Sequence, residues 1–144
     1  MNSKDINSDF LIFNSHGVKE LVLKITPIES LEDDECGEVF LNTDFYKKIV
    51  ILNDSKFKVE LGVKIEGLTE ETHRTVISLD VCMEGIFTVS STKFEDSYAN
   101  VNAVTVLFPY LRAVVSNVTS LSNYGDIMLP PINIIKWFEL ETEK

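Results

Sequence analysis

The side chains able to do chemistry are few and scattered. Two histidines, His16 and His73, and two cysteines, Cys36 and Cys82, stand far apart in the 144 residues. Neither histidine has a second histidine or a cysteine at ligand spacing, so both are expected as surface residues flanking turns rather than as metal ligands. His73 beside Arg74 builds no acid–base constellation. The carboxylate pairs Glu70-Glu71 and Glu139/Glu141 fall at expected turns or ends, where solvation explains them. Six glycines are too dispersed for a phosphate-cradling loop, and neither GxSxG nor HExxH occurs. The expectation is a protein that is not an enzyme and carries no metal or cofactor.

Apolar and aromatic side chains carry the stronger signal. Val101, Val104, Leu107/Phe108, Leu111, Val114/Val115, Val118 and Leu121 recur three or four residues apart, the spacing that gathers side chains on one helical face. Pro109 interrupts this stripe, removing a backbone donor at a cost of about 3 kcal/mol in a helix interior, so a bend that aims Phe108 and Tyr110 at different neighbours is expected there. The apolar face is wider than a small sheet can cover, which implies packing against a second subunit as well. A stop at residues 122–126 precedes Ile127-Met128-Leu129-Pro130-Pro131, extended because residues before proline avoid the helical region. Asn133 then caps a short helix from Ile134 to about Leu140, whose Ile134, Ile135, Trp137 and Phe138 are too apolar for a fully solvated end.

The segments before the long helix alternate as strands. Leu21, Leu23 and Ile25 mark a first strand over Val18 to Ile25, and Phe57, Val59, Leu61, Val63 and Ile65 mark another with one face buried and one wet. Ile77, Leu79, Val81 and Met83 mark a third, while Val76, Ser78, Asp80 and Cys82 face away; Gly85 ends it, and Ile86 to Val89 starts a fourth. After Pro27 comes a connection of about thirty residues, too long and too apolar to be idle or disordered. It holds an acidic patch, Glu29, Glu32, Asp33, Asp34, Glu35 and Glu38, and the apolar residues Val39, Phe40, Leu41, Phe45 and Tyr46. Strands followed by helices predict an α+β fold, an antiparallel sheet backed on one face by the helix. The length fits one domain over residues 1–144, with 1–12 a flexible N-terminus and 141–144 a short tail.

Thirteen basic against 23 acidic residues leave a net charge of −10, which argues against nucleic acid and favours cationic polypeptides. The unpaired cysteine spacing predicts a reduced, cytoplasmic protein, with Cys82 a small buried hydrophobe and Cys36 unassigned. No window approaches the ~20 apolar residues of a membrane span, so no direct membrane insertion is expected.

Leu107-Phe108-Pro109-Tyr110-Leu111-Arg112, the later Leu129-Pro130-Pro131-Ile132-Asn133, and Gly85-Ile86-Phe87 after an alternating strand resemble, in order, the SecB family of protein-export chaperones. The resemblance covers roughly residues 18–138. It implies a four-stranded antiparallel sheet, a long crossover loop after the first strand, one long and one short C-terminal helix, and a homotetramer built as a dimer of dimers. It further implies an ATP-independent holdase that keeps unfolded preproteins export-competent and hands them to SecA. Ile77, Tyr110 and Phe138 match positions where the family lines a peptide groove; Phe40, Phe45, Tyr46 and Trp137 are placed there by neighbourhood. Core packing is the rival for each of them. Glu20 and Asp80 match acidic positions of the SecA-binding face, whereas Lys24 and Ser78 stand where the family carries an acid and a leucine. Two alternatives remain: a SecB-like chaperone dedicated to one partner, such as an antitoxin of a toxin–antitoxin module, and a small-ligand-binding α+β domain.

Overall fold

The alternating segments become the strands of one sheet because every second side chain of a strand turns to the same face. A computed structural model describes residues 11–32, 38–89 and 97–142. Four strands, β1 (Leu11–Ile25), β2 (Val39–Ile51), β3 (Lys56–Thr69) and β4 (Thr75–Val89), pair antiparallel in the order β1-β4-β3-β2. Two helices follow, α1 (Ser97–Thr119) and α2 (Ile134–Thr142). The sequence-derived α+β class holds, as do one long and one short C-terminal helix.

Tight turns join β2 to β3 and β3 to β4. In the first, the Asn53 side-chain oxygen accepts the amides of Ser55 and Lys56, each at 2.9 Å, which closes the turn locally. The second contains His73 at a φ of 53°, the left-handed region that only a few non-glycine residues tolerate. Among the described residues β1 pairs only with β4 and β2 only with β3, so these two strands, consecutive in sequence, are the opposite edges of the sheet.

Three expectations are corrected. The fourth strand is β2, within the stretch assigned to the crossover loop, and β4 runs through Gly85 without a break. A Cβ on Gly85 would lie 3.0 Å from the Phe87 ring and 3.4 Å from Leu107 and Phe13, so glycine there admits α1 and Phe13 rather than ending the strand. Register shifts between Phe13 and Ser15 and between Val18 and Glu20 extend β1 back to Leu11, inside the expected flexible N-terminus, with Leu11 paired to Val89. The short tail is likewise part of α2 up to Thr142. Asp33, Asp34, Glu35 and Cys36 lie outside the described residues.

The core fills one side of the sheet. Phe57, Val59, Leu61, Val63 and Ile65 of β3, with Leu79, Val81 and Phe87 of β4, meet Ala103, Val104, Leu107, Leu111 and Val115 of α1. The chain returns across α1 through buried Ile127 and Leu129; Ile127 donates its amide to the Thr119 hydroxyl at 2.7 Å, and Arg112 donates to the Leu129 carbonyl at 2.9 Å. Asn133 caps α2 as expected, its side-chain oxygen accepting the Lys136 amide at 3.0 Å. Contrary to the sequence expectation, α1 over Ala99–Thr119 is long and apolar enough to cross a membrane by length and composition, because its polar residues are nearly all neutral. One side of it is the core of this sheet.

Candidate polypeptide-binding site

The sheet separates the expected groove residues onto two faces. Ladder register puts Phe45 and Ile77 on the face that α1 covers and Phe40 and Tyr46 on the outer face. Ile77 is 1% exposed, wedged between Gly67 and Ile25 of the neighbouring strands, so it serves the core and offers no surface to a bound chain.

On the helix face the aromatic groups form two clusters at opposite edges. At the β2 edge, the Phe45 ring lies 5.8 Å from Phe108 and 6.2 Å from Trp137, the latter edge-on. The Lys47 ammonium sits 4.5 Å above the Trp137 ring and 4.4 Å from that of Phe138 and is paired with Glu141. Phe45, Trp137 and Phe138 are therefore brought together, half-buried, between β2, α1 and α2. At the β1 edge, Tyr110 is 41% exposed and packs on His16 at 4.2 Å and on Phe13 at 5.8 Å. It stands apart from the Trp137 cluster. His16, expected beside a turn, is in the middle of β1 instead.

The outer face is polar but not uniformly wet. Tyr46 lays its ring across Gly62 and donates its hydroxyl to Asp80 at 2.7 Å, reaching from β2 over β3 to β4. Burial first, and then this bond to Asp80, raises the Tyr46 hydroxyl pKa well above its ordinary value. Cys82 faces this outer side and is buried, both as expected; burial raises its thiol pKa, and Glu60 adds to the effect. Glu60, expected to be wet, is only 8% exposed because Lys19 and Lys58 fold over it, and the Lys19 bond lowers its pKa. Glu20 and Asp80 lie on adjacent strands of this face, opposite Cys82 and Val22 respectively. Lys24 pairs directly with Ser78.

Sequence reasoning missed Lys47 and Phe108 as partners in the aromatic cluster. A lysine inside an apolar run reads as solvated, and only the parity of β2, with Lys47 in step with Phe45 and Ile49, could have shown that it points inward. Among the described residues no three histidine, cysteine, aspartate or glutamate side chains gather as a metal site would require.

Comparison with known proteins fits this architecture. A family model described as Preprotein translocase subunit SecB matches residues 19–144. The protein-export protein SecB of Alcanivorax borkumensis is 30% identical over 125 residues, covering 80% of this chain and 80% of that protein. An uncharacterized protein of Methanocaldococcus jannaschii, MJ0357, is 30% identical over 129 residues, covering 86% of this chain and 79% of the other. Among solved structures, the SecB-like chaperone Rv1957 of Mycobacterium tuberculosis, in complex with a ChAD peptide from the HigA1 antitoxin, shares the fold with a TM-score of 0.65 at 13% identity. That match covers 86% of this chain and 91% of the other. The strand order, the paired proline motifs and the match from residue 19 to the C-terminus all lead to one conclusion: this chain belongs to the SecB family.

Proposed function

We propose that the protein is an ATP-independent holdase that binds unfolded polypeptides and keeps them from folding or aggregating. Membership of the SecB family supports a chaperone role and points away from an enzymatic one. The observation that carries the reading is the half-buried cluster of Phe45, Trp137 and Phe138, flanked by exposed Leu41, Ile135 and Leu140. Such a surface is adaptable and apolar, and it recognises what unfolded chains expose rather than one hydrogen-bond pattern. Phe40, on the outer face of β2, and Tyr110, at the β1 edge, add exposed aromatic surface elsewhere. The working form is a cytoplasmic homotetramer, a dimer of dimers. Mixing the protein with a reduced, slow-folding client and following light scattering tests the reading: suppression is expected near one tetramer per client, and none at that ratio rejects it.

Delivery to SecA is the finer proposal, with Glu20 and Asp80 on the outer face as its acidic contacts. The direct Lys24–Ser78 pair on the same face favours a second reading, a chaperone serving one dedicated partner such as an antitoxin. The antitoxin peptide bound to the M. tuberculosis relative is consistent with that class of client. Capture experiments separate the two readings: diverse unfolded precursors together with SecA support export, whereas one dominant partner supports a dedicated chaperone.

A further inference from the structure

We propose that Tyr46 decides which basic side chain the outer face accepts: by holding one oxygen of Asp80 it denies a docked arginine its paired bonds and leaves the carboxylate to lysine. This role of Tyr46 rests on the reading of Asp80 as an acidic contact for a docked basic polypeptide, and deepens it. Tyr46 stands on β2 and Asp80 on β4, with β3 between them. The side chain can cross because the residue opposite it on β3 is Gly62, where a Cβ would fall 2.1 Å from the ring. The hydroxyl then donates to Asp80 Oδ1 at 2.7 Å, with the Val81 carbonyl farther off at 3.4 Å. Burial and then this bond raise the hydroxyl pKa, so Tyr46 remains a donor at neutral pH.

The carboxylate is nonetheless within reach of a partner. A depression of about 450 Å³, whose border includes Asp44, Tyr46, Lys64 and Asp80, opens beside the ring. Asp44 faces Lys64 in register and Lys64 faces Asp80, so two carboxylates flank one ammonium and the row keeps one negative charge for an incoming cation. Arginine and lysine use such a charge differently. A guanidinium binds a carboxylate best through two parallel N–H bonds, one to each oxygen, whereas an ammonium is a point charge that one oxygen satisfies. With Oδ1 taken, arginine loses the geometry that gives it its advantage, and lysine loses little.

The test uses the full chain and two otherwise identical unstructured peptides, one alternating arginine with serine and the other lysine with serine, with affinities read by titration calorimetry. Tyr46→Phe keeps the ring over Gly62 but frees Oδ1, and it is expected to raise the arginine-to-lysine affinity ratio about 3- to 10-fold over wild type. In an Asp80→Asn background the same change should leave the ratio where it was. An unchanged ratio in Tyr46→Phe, or an equal rise in the Asp80→Asn background, overturns the role of Tyr46. So does a wild-type ratio that falls on Asp80→Asn, a measurement that needs no change at Tyr46, because arginine would then already be using both oxygens. The docking reading fails separately. If Glu20→Gln and Asp80→Asn leave both affinities unchanged in wild type and in Tyr46→Phe alike, no basic partner docks through these carboxylates, and the role of Tyr46 falls with that reading. A weaker lysine peptide on Asp80→Asn, with no rise of the ratio in Tyr46→Phe, overturns the role of Tyr46 alone.

Discussion

Tyr46 shows how one side chain can organise a face that has no second layer. Its ring occupies the space above Gly62, where a Cβ would fall 2.1 Å from the ring's outer carbon. Gly62→Ala is therefore expected to swing Tyr46 off the sheet, break its bond to Asp80 and lower stability by about 1–3 kcal/mol. Urea unfolding measures the loss, and Tyr46→Phe, which keeps the ring in place, should lose less. The Lys19–Glu60 pair beside it contributes according to pH. Glu60 has its pKa lowered from 4.5, so its contribution is present above that value and is lost as pH falls through the lower folded one. Lys19 has its pKa raised from 10.5, so its contribution is present below that value and fades as pH rises through the higher folded one. Glu60→Gln should flatten the acid limb of the stability profile, and an unchanged limb would show that other carboxylates govern acid unfolding.

Whole elements were legible where their side chains kept strict parity and obscure where a local device broke it. The alternation of β3 and most of β4, the period of α1 and the Asn133 cap of α2 follow directly from residue spacing. The first half of β1 does not, because the shifts after Phe13 and Val18 reset its parity: Phe13, His16, Val18 and Leu21 share a face although their spacing is not even. In β2 an inward lysine hid the strand, and the same inward charge on an edge strand discourages edge-to-edge pairing. The site was legible only in part, because residues close in sequence, Phe45 and Tyr46, go to opposite faces, and Ile77 goes to the core.

Pro109 illustrates the same limit within α1. It is exposed on a continuous helix, and Phe108 and Tyr110, two residues apart, already diverge by about 200°. No bend is needed to aim one at Phe45 and the other at His16. Pro109→Ala should restore the missing donor and raise the denaturation midpoint, by up to about 3 kcal/mol in stability. A fall in stability would mean that the ring packs against something the helix requires.

At the scale of the molecule, a single long helix leaves part of the β1 side of its sheet uncovered. Val18 and Leu21, on the helix face of β1, are exposed beside Val106 and Tyr110 of α1, and the helix carries only one charged residue, Arg112. This strip borders the edge of β1 that is unpaired among the described residues, so a second copy can extend the sheet and bury the strip in one step. Val106 is 38% exposed, and replacing it with glutamate should therefore alter the isolated subunit by no more than about 0.5 kcal/mol. Within an assembly the same carboxylate would be buried without a partner, at a cost of several kcal/mol, comparable to the whole free energy of a weak interface. Val106→Glu is expected to keep its circular dichroism spectrum and its thermal transition at high dilution while its mass in solution falls from the four chains of the proposed assembly to two or one. If its mass by light scattering instead equals that of the wild type at the four chains proposed, the strip lies outside the contacts that hold the proposed tetramer. The exposed side of α1 around Ala113 and Asn117 would then have to carry them.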